Sequence, residues 1–366
     1  MTPGKVERYV MGRTFAGVGA ALAVITAVVI LVQFVDLSRS LGVRADTSVA
    51  QLFGLTMLRA PAVLLVLLPF VFLFGTMAAY VGLNRRSELV AMRAAGVSAW
   101  RFILPTAAAA ALAGVVAVGA ANPLAAMLNS RFERDRALLM ENYLTDAPKE
   151  VWLRQGDANT QIVIHAKARD LDGTVVRLKK VSLFIYQKNA RGIPEFRRRL
   201  EAAEARLMPG FWDLRDVREA TAGERSVRSE RLTIRSSLDS QGALERFASP
   251  EAIAFWRLPS AIRVTEQAGF TAGPYRLRLH QLLATPVLFA AMSVLAAAFS
   301  LRLARLGGLA GLAGAGVALG FVFFFFNEFA GALAEADIIP LALAAWAPPL
   351  VALLCGLTLL CYTEDG

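Results

Sequence analysis

The residue types most used for bond-making chemistry are few in this chain and stand apart. His165 and His280 are the two histidines, and they fall in different zones with no companion ligands at zinc spacing. No G-x-S-x-G nucleophile elbow occurs. Cys355 and Cys361 are the two cysteines; both lie in the last apolar stretch, where a helix turns them to different faces, so they make no disulfide framework. The stretch "GGLAGLAGAGVALG" at 307–320 has the glycines of a phosphate loop, but it lacks the Lys-Ser/Thr pair and lies in an apolar span. Its Gly307-xxx-Gly311 and Gly316-xxx-Gly320 spacings suit close helix packing instead. Glu328, after "FFFFN", reads as interfacial. Nothing here makes a catalytic or metal site. Work against a gradient would have to draw on a separate ATPase or an ion gradient.

Two polar clusters are better placed for binding than for catalysis. In "NRRSELVAMRAAGVSAWRF", Ser87 can cap a short helix, Glu88 stands at its positive end, and Gly96 can end it. Leu89 and Met92 share a face beside Arg86, Glu88 and Arg93, which suits docking into a groove on another protein; the plainer alternative is an ordinary interfacial helix. The second cluster is "QFVDLSRSLG", where Phe34, Asp36 and Arg39 close an apolar run and Arg39 can meet lipid phosphates. Arg131, Arg134 and Arg136 could complete the same cationic rim. Single basic residues at helix ends are more often snorkelling anchors than sites.

The elements that must hold these clusters follow from composition. The 366 residues are 56% hydrophobic, with mean hydropathy +0.50, above the roughly 45–50% apolar usage of soluble domains. Residues 122–278 hold 27 Lys+Arg and 20 Asp+Glu of totals of 39 and 29, so the chain alternates between two solvents. A pI near 10.1 could mean nucleic acid, but there is no basic tract beside a recognition helix or aromatic-interleaved strand; no nucleic-acid partner is expected. Six windows reach the roughly 20 apolar residues needed to cross a bilayer: 14–35, 61–83, 102–121, 281–301, 308–329 and 341–361. The first is too long for a signal-peptide core and lacks an A-x-A cleavage site.

Six crossings put both termini on one side. Arg-rich segments at the N-terminus, at Arg85 to Arg101 and at Arg302 and Arg305 make that side cytoplasmic. The expected organisation is therefore 1–121, three membrane helices with a cytoplasmic loop at 84–100; 122–278, a periplasmic domain; and 279–366, three more helices. Within the domain, "TQIVIHA", "TVVRL", "VSLFIYQ" and "FWDLRDV" alternate and are parted by turn residues, as in an antiparallel sheet, sandwich or open barrel. "LEAAEARLM" is ambiguous, since Ala and Glu favour helix. The flanks at 122–144 and 250–270 read as helical connectors. Ile162, Ile164, Leu183 and Ile185 alternate as the lining of a groove would, or as the filling of a closed core.

The order of parts, with "LNRRSELVAMRAAGVS", "FVDLSRSLG", "NPLAAMLNSRFE", "FWRLPSAIRVTEQAGF", "LATPVLFAAMSVLAAAFSLR" and the terminal "YTEDG", resembles the LptF/LptG permeases of lipopolysaccharide export over nearly the whole chain, most closely the LptG branch. The loop motif and "FWxLP" are its most specific elements. The resemblance implies an α-helical membrane protein with six transmembrane helices and an inserted all-β, jelly-roll-like periplasmic domain in the bacterial inner membrane. It implies a permease that is not an enzyme, holds no cofactor, and relies on ATP hydrolysed by a partner. The expected partners are an LptF-like paralogue, a dimeric LptB-like ABC ATPase, LptC-like and LptA-like periplasmic proteins, and lipopolysaccharide. Arg86, Glu88, Leu89, Met92 and Arg93 would couple to the ATPase, driving helices two and three, while helices one and five form a lateral gate. Arg39 matches a basic position of the family; Gln33 and Ser40 depart from it, and the rim at Arg131 and Arg134 would take over part of that work. Moving a multi-acyl lipid through water at ~0.8 kcal/mol per CH₂ gives a reason for both an ATPase and a sheltered route. Rival readings are a membrane-anchored envelope enzyme or assembly factor, and an LptF-like paralogue.

Overall fold

The computed structural model describes residues 4–42, 48–141, 151–156, 160–172, 175–189, 194–208, 210–221, 226–236, 252–267, 272–303 and 309–364. The chain divides into two compact units, Met1–Tyr143 with Ala254–Trp256 and Arg276–Gly366, and Leu144–Ile253 with Arg257–Tyr275.

The first unit is helical. It contains α1 (Lys5–Leu37), α2 (Val49–Arg85), the short α3 (Glu88–Ala94), α4 (Ala99–Val116) and α5 (Asn122–Glu141), with π turns at Ser38–Gly42 and Ala117–Ala121. After α6 (Leu258–Gln267), which belongs to the second unit, come α7 (Gly273–Leu303), α8 (Leu309–Glu335) and α9 (Leu341–Glu364). Six of these rods are long and apolar enough to span a membrane. Helix is the form that satisfies every backbone group within one segment when no water is present. The first span begins at Lys5, well before the apolar window at 14. The third does not stop at 121: α4 passes through a π turn into α5, and the apolar rod continues to Arg136.

Small residues set how closely these helices pack, since lipid gives no hydrophobic drive between them. A Cβ on Gly75 would overlap the backbone of Val18 in α1, and one on Gly114 would lie 2.6 Å from the Pro286 Cα in α7. Ala291, Ala296, Ala297 and Ala298 are buried along α7, and Thr76 and Ser293 share a hydrogen bond at 3.3 Å between α2 and α7. The expected close-packing role of Gly316 and Gly320 is seen against α2: Cβ atoms there would meet Met77 and Leu73.

Among the described residues, the second unit has six antiparallel strands paired in sequential order: β1 (Val151–Gly156), β2 (Thr160–Asp172), β3 (Val175–Lys188), β4 (Pro194–Met208), β5 (Phe211–Thr221) and β6 (Val227–Arg235). One face is apolar and buried, with Ile162, Ile164, Leu183, Ile185, Leu200, Leu207, Leu214 and a fully buried Trp212 in one cluster. A crease crosses this sheet. Pairing skips Lys167, Lys180, Ala203, Asp216 and Glu230 on adjacent strands. Inward-facing positions change parity across that line, from Leu178 to Val181, Ala202 to Ala205, and Leu214 to Val217. Lys180 and Asp216 take φ of 52° and 50° on the crease, a left-handed geometry that bends the strands.

The ambiguous "LEAAEARLM" is strand. It pairs with β3 on one side and β5 on the other, and cross-strand packing of Leu200, Ala202, Ala205 and Leu207 outweighs the helix preference of Ala and Glu. Strands β1 and β6 were not anticipated, because "VRSERLTIR" carries only a sparse apolar alternation.

Candidate functional site

The polar clusters lie towards opposite ends of α1. At one end α3 is fastened from three sides. Leu89 is 2% exposed and shares a buried cluster with Val10, Tyr80, Leu83, Phe102 and Leu360; Met92 is half-buried against the same cluster. The Tyr9 hydroxyl donates to Glu88 Oε2 at 2.8 Å. Arg93 Nη2 donates to the Thr363 carbonyl oxygen at 3.0 Å, tying α3 to the end of α9. Beside it the largely buried Glu7 accepts from Arg101 Nε at 2.7 Å.

This placement changes the expected docking face. Leu89 turns inward and packs α3 onto the bundle, so the surface left for a partner is Arg85, Arg86, Ser87, Val90, Ala91, Ala94 and Ala95, with Val90 59% exposed. Ser87 does not cap the helix with its side chain. It holds φ of 58°, the left-handed geometry that turns the chain sharply from α2 into α3. Gly96, at φ of 80°, supplies the expected end.

At the other end, the π turn Ser38–Gly42 carries Arg39, which is exposed, as is Asp36; Phe34 is half-buried. Leu37 and Leu41 are 1% exposed and pack with Leu52, Leu55 and a fully buried Phe132. Phe132 is flanked in sequence by the exposed Arg131 and, two positions on, by the exposed Arg134, whose Nε donates to the Ser130 carbonyl. The Arg59 guanidinium lies 5.3 Å from the Phe132 ring centroid. One apolar knot thus gathers α1 with its π turn, α2 and α5, and Arg59 lies against it. Arg59 is not among the residues that the sequence singles out; the buried Leu55 one helical turn before it is the signal that places it here.

The arrangement can bind and transmit. Among the described residues no group of His, Cys, Asp and Glu is gathered for a metal, and His165 stacks on Trp152 at 4.2 Å. The lipopolysaccharide export system permease LptF/LptG family matches residues 8–362. The chain belongs to the LptF/LptG permease family. No curated protein matches it. As a member of that family, this multi-pass inner-membrane protein is a permease component of lipopolysaccharide export and not an enzyme.

In the second unit, Ile162, Ile164, Leu183 and Ile185 all fall on the buried face, between 0% and 7% exposed. The opposite face is arginine-rich and carries ion pairs, Arg231 with Asp213 at 2.6 Å and Arg228 with Asp216 at 2.8 Å, while Arg198 and Glu219, also 2.8 Å apart, pair on the apolar side next to Leu200. The Arg231 guanidinium holds the Asp213 carboxyl below the usual aspartate range.

Proposed function

We propose that this chain is an LptG-like permease subunit that works with an LptF-like paralogue and a dimeric LptB-like ATPase to extract lipopolysaccharide. It would pass the lipid towards LptC-like and LptA-like proteins. The observation that carries this reading is α3: a short amphipathic helix held to the bundle by Leu89, Glu88 and Arg93, with a small, exposed outer face. Such a helix moves only if the helices behind it move, which is what a coupling element driven by a separate ATPase requires. ATP stays with the partner, and the chain needs no cofactor.

In this reading both termini and α3 are cytoplasmic, residues 1–121 and 279–366 form the membrane part, and 122–278 form the periplasmic domain. Arg39, Arg131 and Arg134 meet lipid phosphates beside Phe34 and Asp36, and Arg59 joins them. The creased sheet acts as an open jelly roll that receives acyl chains between Ile162, Ile164, Leu183 and Ile185. Tagged protein purified from native membranes in mild detergent is expected to bring down an ABC ATPase and a second six-helix permease in stoichiometric amounts by mass spectrometry. Recovery of the chain alone, under conditions where a known complex of this type survives, contradicts the proposal.

A further inference from the structure

We infer that α3 drives the first membrane helix directly through Tyr9, which makes Tyr9 a positioning residue of the coupling machinery; this rests on the permease reading above. Tyr9 and Arg13 are one helical turn apart and share a face of α1. The Tyr9 hydroxyl donates to Glu88 Oε2, and Arg13 Nε donates to the Tyr9 oxygen at 3.1 Å while its guanidinium lies 5.4 Å from the ring centroid. The carboxylate that opens α3 is therefore joined to α1 by a charge-assisted hydrogen bond backed by a second cation. Two further contacts make the joint rigid. Val10 is fully buried in the cluster that holds Leu89, and Glu7 is clamped by Arg101 in the first turn of α4.

What α1 does with that attachment follows from its own build. Helices two and three are the expected relays, but α2 contains Pro61 and Pro69, while α4 contains Pro105 and runs into a π turn. Prolines and π turns are where helices bend. Helix α1 is continuous for 33 residues with no proline, about 50 Å of unbroken rod at 1.5 Å per residue. Its far end carries Phe34, Asp36 and, in the following π turn, Arg39. A shift of α3 thus reaches Phe34 and Asp36 along one unbroken, proline-free helix, just ahead of the π turn that holds Arg39. The coupling and lipid clusters are two ends of one lever.

The test uses the purified complex in proteoliposomes loaded with lipopolysaccharide. Lipid released per ATP hydrolysed is measured for the wild type, Tyr9→Phe, Glu88→Gln and the double variant. Tyr9→Phe keeps the ring under Arg13 and removes the hydroxyl, which is both the donor to Glu88 and the acceptor of Arg13 Nε. The expected result is a ratio lowered about tenfold, the effect of losing one hydrogen bond to a charged group, with the double variant no worse than Glu88→Gln alone. A spin label at the exposed Val35 is expected to shift on addition of a non-hydrolysable ATP analogue in the wild type and to stay in place in Tyr9→Phe, a readout that a merely anchoring tyrosine would not move. An unchanged ratio, or an equal shift of the label in both proteins, overturns the lever. Absence of ATP-driven release by the wild-type complex overturns the permease reading and the lever with it.

Discussion

The Trp256 indole N–H donates to the Gly119 carbonyl oxygen at 3.0 Å, and the neighbouring Phe255 amide donates to Asn122 Oδ1 at 2.8 Å. Gly119 lies in the π turn that follows α4, and Asn122 opens α5 directly after it. Phe255 and Trp256 therefore form a clasp on the third membrane helix. Trp256→Phe keeps most of the ring but leaves that carbonyl without its donor. It is expected to cost about 1 kcal/mol, seen as a lower thermal midpoint of the purified protein; an unchanged midpoint would show that the clasp contributes nothing.

Close approach of α1 and α2 depends on Gly75. Because a Cβ there would overlap the Val18 backbone, and backbone cannot rotate away, Gly75→Ala should sharply reduce the folded protein recovered from membranes. Gly82 in the same helix has open space around its Cα, so Gly82→Ala is the matched control and should be recovered at the wild-type level. Equal recovery of the two variants would contradict the packing.

The Asp213–Arg231 pair makes the sheet acid-sensitive in one direction. Asp213 has its folded-state pKa lowered, first by the hydrogen bond from Arg231. Its contribution is therefore complete above the ordinary aspartate value, 3.8, and is lost as pH falls through the lower folded value. Asp213→Asn should unfold more readily than the wild type at neutral pH, and the difference should close as pH falls through that lowered value. A stability difference that persists unchanged into acid would contradict this.

Reversal of charge at the lipid end should weaken loading. Arg39→Glu places a carboxylate where a phosphate is expected, and a photocrosslinker at Phe34 should then capture severalfold less lipopolysaccharide. Arg134→Glu should act in the same direction. Undiminished crosslinking in both would remove the phosphate role from this rim.

The six spans were legible because membrane helices need about 20 apolar residues in a row, and the strands of the sheet's centre because Ile162, Ile164, Leu183 and Ile185 alternate cleanly. The termini of those elements were not. Lys5, Arg8 and Arg13 interrupt the apolar pattern at the start of α1, although helix continues through them; residues 122–136 look polar after Ala121 although the rod runs on. Glu88 was singled out by its place at a helix start, but its partner Tyr9 is 79 positions away, a pairing that no local periodicity encodes. The same holds for Leu89: the apolar side of a short helix in a charged loop gives no sign of whether it faces a partner or, as here, the protein's own core.

The central claim is tested most directly by ATP-driven release of lipopolysaccharide from proteoliposomes containing the co-purified complex. Wild-type protein is predicted to release lipid only with ATP, and Glu88→Lys, which puts a cation against Tyr9 and Arg13, is predicted to abolish release while the protein stays folded. Release that needs no ATP, or that Glu88→Lys leaves intact, would contradict the account.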